Sequence, residues 1–208
     1  MNDALLLSSL FILLTPPLLA GVLRKYNALI IFGAGLTFIY IVFTILTELL
    51  PETIEHLGYW TLIIPPLGLL VTAISEHKLL KSLSRMNHSL MLLILGLMFL
   101  HSLIDGASLY LATWHGVAEG GHHSPLGISL LLHRFVAVNV LWIALVPSFG
   151  KQKLSIFLST IALGTLIGYK YSKLILDSIN NGHYILEAFI IGSLLHFNIG
   201  IFRKKIHR

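Results

Sequence analysis

Residues 88–113 read HSLMLLILGLMFLHSLIDGASLYLAT. The run is almost wholly apolar, and its one formally charged residue is Asp105. A helix that crosses the hydrocarbon of a bilayer needs about 20 such residues, because each adds ~1.5 Å to a core ~30 Å thick. Lipid offers the backbone no hydrogen bonds, so a run of this length is satisfied only as a helix. Outward from it, six similar runs lie at roughly 4–23, 28–50, 59–75, 126–147, 154–170 and 184–202. Together they predict an all-α, polytopic transmembrane bundle of about seven helices.

Composition points the same way. Of 208 residues, 56% are hydrophobic and 11% are charged, and the mean hydropathy is +0.86. Soluble domains carry about 25% charged residues, and so few charges cannot coat a surface that faces water. No Gly/Ser-rich linker or low-complexity tract separates a second domain, so residues 1–208 read as a single transmembrane domain. The net charge of +5 would suggest nucleic acid in a soluble protein. Here it is assigned to loops that orient helices, with the lipid bilayer as partner and no nucleic acid. The absence of cysteine removes disulfides and thiolate metal sites. The start, MNDALLL, has no basic residue before its apolar run, which predicts a retained helix rather than a cleaved leader.

The basic residues alternate by loop. Eleven lie in the odd-numbered connections and the C-terminal tail: Arg24, Lys25, Lys78, Lys81, Arg85, Lys151, Lys153, Arg203, Lys204, Lys205 and Arg208. The even-numbered connections hold two, Lys170 and Lys173. Basic loops stay cytoplasmic, which puts the N-terminus outside and the C-terminus inside a cytoplasmic membrane.

Ionisable residues within spans are costly and mark function. They are Glu48, His101, Asp105, His133, Arg134, Glu187 and His196. His101 and Asp105, four apart, share a helix face. Measured from the outer surface, His101 lies ~18 Å deep, Asp105 ~12 Å and His133 ~10 Å, at the rise of an α-helix. Imidazole and carboxylate ligands converging from two neighbouring helices suit a first-row divalent cation such as Zn2+. Arg134 points about 100° away from His133 and needs a buried partner. Asp105 and Glu48 are both candidates. Above the pair of helices the connection WHGVAEGGHHSP carries His115, Glu119, His122 and His123, a metal-gathering composition.

At these residues the chain resembles the ZIP family of divalent metal transporters. HSLIDG, His101–Gly106, resembles the family's HNxxDG motif in the fourth helix. HRFVAV, from His133, stands where HExPHE stands in the fifth. GAGLTFIYIVFTILTELLPE resembles the second helix, with Glu48 at a histidine position, and AFIIGSLLH resembles the seventh. The third run ends near Glu76, as in the family. The resemblance implies a main site of His101, Asp105 and His133, with Glu48 as a relay at the outer mouth. It also implies a second site lost to Ser102 and Arg134, where the family has asparagine and glutamate. Ala137 and Val136 replace the second histidine and the proline of HExPHE. The family usually has eight spans, one more than predicted here.

The expected function is therefore movement of a divalent metal, most plausibly zinc, through a single-metal site. Arg134 would hold the vacated second site as a fixed cation. The alternative is a degenerate relative that binds or senses metal, or only keeps the scaffold. A haem b held between His101, His133 or His196 is a third option. No nucleophile–base pair or phosphate loop supports an enzyme. Pairing into a homodimer, which relatives can form, is undecided by the residues.

Overall fold

The computed structural model describes residues 4–25, 27–82, 88–118 and 124–206. Among these the chain is a helical bundle: α1 (Ala4–Ile12), α2 (Thr15–Lys25), α3 (Asn27–Thr44), α4 (Leu50–Leu57), α5 (Ile64–Ser82), α6 (His88–Ala118), α7 (Pro125–Ser178) and α8 (Gly182–Ile206). A π-helical turn, Ile45–Leu49, joins α3 to α4, and a 3-10 turn, Gly58–Leu62, follows α4.

Four helical stretches of the described residues are long and apolar enough to cross a membrane: Ala28–Leu62, Leu95–Thr113, Pro125–Pro147 and Phe149–Leu176. The bent pair α1 and α2 makes a fifth if counted as one span. Leu7, Phe11, Leu18, Phe32, Ile39 and Leu174 are each more than half exposed, a surface that water would not tolerate. The chain is a helical membrane protein with four, or up to five, candidate spans among the described residues.

The difference from the seven sequence runs lies chiefly at two places. Among the described residues, shorter apolar helices, Ile64–Ala73 of α5 and Gly182–Leu195 of α8, overlap the third and seventh runs. The sixth run, by contrast, is longer than expected, and occupies Phe149–Leu176.

Local chemistry explains the breaks. The 50° bend between α1 and α2 comes just before Pro16 and Pro17. These prolines then sit in the first turn of α2, where a missing N–H costs nothing. Thr15 closes the gap by donating its hydroxyl to Ile12 O at 2.8 Å, and it accepts from Asn139 Nδ2 at 3.1 Å. Pro65 and Pro66 likewise open α5 rather than kinking its middle. In α7 the break is Gly150, at φ +74° and ψ 161°, a conformation open to glycine and strained for other residues. It divides α7 into two arms, 125–149 and 151–178.

The helices approach closely where side chains are small, as membrane packing favours. A Cβ on Gly106 of α6 would collide with Thr165 O and Tyr169 N of the second α7 arm. On that arm, Gly164 lies against Ser102 and Phe99 O, and Gly168 against Leu103 O. Between α5 and α8, Gly68 faces Phe189 O and Gly192 faces Pro65 O. The main core joins Ile41 and Leu49 to Leu111, Leu126, Tyr169 and Ile190.

Gly192→Val should destabilise the bundle by on the order of 3 kcal/mol, since backbone cannot yield to the new side chain. Gly33→Val, with nothing within 4 Å of the new Cβ, should be nearly neutral. Unfolding in mixed micelles by added SDS, followed by circular dichroism, measures both.

Candidate functional site

Four helical segments meet at Arg134. The residue lies on the first arm of α7 and is 4% exposed. Its Nη2 donates to Asp105 Oδ2 of α6 at 2.9 Å and to Thr165 Oγ1 of the second α7 arm at 2.7 Å. Its Nη1 donates to Ser9 Oγ of α1. Ser9 and Thr165 are buried. Thr165 donates its own hydrogen to Ile161 O at 2.9 Å, which leaves its oxygen free to accept from the guanidinium.

The geometry follows from side-chain type. A guanidinium presents several N–H donors in a rigid plane and stays charged at any ordinary pH. It can therefore satisfy a carboxylate and hydroxyls on separate helices at once, which an ammonium on a flexible stem does less well. The close crossing at Gly106 and Gly164 brings Thr165 within reach of the group that holds Asp105. In the apolar interior the pair is locally neutral, and either member alone would be a buried charge.

Of the two partners open to Arg134 in the sequence, Asp105 is the one it takes. It bonds directly to a proposed main-site ligand. Ser102, the other substituted position of the second site that the resemblance implies, is buried and donates to Phe99 O at 2.8 Å within its own helix.

The other oxygen of Asp105 faces His101, with Nε2 to Oδ1 at 3.8 Å. The His101 ring lies edge-on to His133, with centroids 6.5 Å apart. His101, Asp105 and His133 are thus brought to one place, as their spacing implied. Among the described residues, however, no three His, Asp or Glu side chains are arranged to hold a metal ion. The Asp105 carboxylate is shared with Arg134.

Glu48, the expected relay, has a different engagement. It sits in the π-helical turn, and its carboxylate accepts from Ser124 Oγ at 2.8 Å and from Leu126 N at 3.0 Å. It thereby caps the start of α7, where free N–H groups favour a negative charge. One turn away, Thr44 and Ser129 share a hydroxyl hydrogen bond of 2.7 Å. Glu119, His122 and His123 lie outside the described residues, as do the side chains of His115 and His196. Glu187 is fully buried in α8.

Ser9, Thr165 and Ser124 were not singled out in the sequence, although each completes a charged group's bonding. Small polar residues in apolar helices are common, so nothing distinguishes these locally. The glycines around Thr165 offered the one clue, since small residues three or four apart mark a helix crossing.

No protein family, characterised protein or solved structure matches this chain.

Removing one partner of the buried pair should cost about 3–5 kcal/mol, in Arg134→Met or Asp105→Leu alone. The double substitution should recover much of the loss, because neither charge then remains unpaired. The same SDS unfolding applied to all four proteins gives the coupling energy. Glu48→Ala should cost about 1–2 kcal/mol, the range for loss of a helix N-terminal cap.

Proposed function

We propose that this chain is a ZIP-like membrane protein that binds or senses a divalent cation without carrying it across. The observation that supports this best is the 2.9 Å bond from Arg134 to Asp105. A permanent cation stands on the carboxylate that a mobile one would use. A passing metal ion would have to displace the guanidinium from three partners and leave it unpaired in an apolar interior. The substitutions Ala137 and Val136 favour the same conclusion, since they remove a further ligand and the helix-loosening proline of the motif.

The finer topology goes with this reading. Seven membrane helices, with α5 and α8 completing the set, fit the alternation of basic loops. The N-terminus is then outside, and the basic tail lies on the inner side of the cytoplasmic membrane. The chain has no cysteine, so single introduced cysteines report sidedness directly. A cysteine at Gln152 should be labelled from the inside only, and one at Gly121 from the outside only.

Metal transport is the second reading, and one contact favours it. His101 Nε2 lies 3.8 Å from the Asp105 oxygen that Arg134 does not hold. If Asp105 were released, His101, Asp105 and His133 would offer three zinc-type ligands on two helices, an open set suited to exchange.

Zinc entry into proteoliposomes loaded with a zinc-sensitive dye separates the two. The native chain should show no saturable uptake. Arg134→Gln should bind zinc at least about tenfold more tightly than the native chain, because it frees a carboxylate that a charge-assisted bond had occupied. Saturable uptake by the native chain, abolished by His101→Ala or Asp105→Ala, would sink the proposal and establish transport.

A further inference from the structure

Between the two arms of α7 lies a feature that the arginine site does not involve. Pro125–Pro147 and Phe149–Leu176 are both long apolar stretches, so the turn at Gly150 falls at a membrane surface. There the arms part around an open hollow. Leu145 and Phe149 line it from the first arm, Leu154 and Phe157 from the second, and Leu95 from α6, with Lys153 among the lining residues. An apolar hollow of this kind does not hold water, which needs several polar partners.

Charge is disposed beside it in a definite way. Lys151 and Lys153 are exposed at the turn. The sequence from 135 to 176 contains no aspartate or glutamate. Among the described residues neither lysine is in an ion pair. An apolar recess thus opens beside two exposed lysines that have no ion pair among the described residues. Lysines so placed attract anionic lipids, while their stems lie along the apolar boundary.

We infer that the Gly150 turn is a binding site for an anionic phospholipid. The acyl chain occupies the hollow lined by Leu95, Leu145, Phe149, Leu154 and Phe157. The phosphate of the headgroup sits against Lys151 and Lys153. A bound lipid there would wedge between the α7 arms and brace the bend that brings Thr165 back to Arg134. The site goes beyond the proposed function and does not depend on whether metal binds.

The test uses the full chain in nanodiscs of mixed phosphatidylglycerol and phosphatidylcholine, released for native mass spectrometry. The native chain should retain phosphatidylglycerol over phosphatidylcholine on the order of tenfold, as two lysines near a membrane surface imply. Lys151→Gln with Lys153→Gln should abolish the preference, and arginine at both positions should restore it. Leu95→Trp, which fills the hollow, should reduce retention of either lipid. Soluble glycerol phosphate, lacking acyl chains, should not compete. Equal retention of the two lipids by the native chain would overturn the inference, as would a preference that survives the glutamine pair. Retention unaffected by Leu95→Trp, or full competition by glycerol phosphate, would do so too. Zinc binding by Arg134→Gln is read separately, so failure here leaves the proposed function standing or falling by itself.

Discussion

A guanidinium enclosed by apolar helices has to be neutralised and hydrogen-bonded, and the arrangement around Arg134 is organised by that requirement. Asp105 supplies the charge, and Ser9 and Thr165 supply further acceptors. Because the partners come from α1, α6 and the second arm of α7, a single residue sets the relative placement of all three against its own arm. The bend at Gly150 and the glycine-lined crossing of α6 follow as conditions for the contact. Without the bend the second arm would not return alongside the first. Without Gly106, Gly164 and Gly168, side chains would hold α6 and that arm apart.

Further polar contacts of the same logic tie the bundle together. Glu48 spans from the π-helical turn to the start of α7, Thr44 meets Ser129, and Asn139 reaches Thr15 across the break between α1 and α2. Each joins elements distant in sequence, and each places a polar group where lipid would otherwise leave it unsatisfied. The π turn lets one helix redirect Glu48 without ending, and such local irregularities often occur where a side chain has a special task. On this view Glu48 positions the start of α7, while Arg134 secures the helix further along.

The sequence and the structure diverge in instructive places. The runs at 28–50, 88–113 and 126–147 appear as long apolar helices, because a sustained lack of charge leaves the backbone no other solution. The runs at 59–75 and 184–202 overlap shorter apolar helices among the described residues, Ile64–Ala73 and Gly182–Leu195. The paired prolines, Pro16-Pro17 and Pro65-Pro66, stand at helix starts, where their missing N–H groups are harmless. His101, Asp105, His133 and Arg134 were recognisable as rare ionisable residues in apolar surroundings. Their mutual geometry was not: depth along a helix axis is computed from rise, but rotation and lateral approach depend on neighbours.

By itself, then, the sequence determined that the chain is helical and membrane-embedded, and which few ionisable residues lie within its apolar runs. Composition and run length are enough for that, since hydrocarbon excludes both charge and unpaired backbone. Only the tertiary structure decided that Asp105 belongs to Arg134 and that Glu48 caps α7. Those pairings join residues 29 and up to 78 positions apart. Such pairings depend on which helices touch and on which faces. Lateral contact is set by small residues and bends acting together, and no local pattern of residues encodes it.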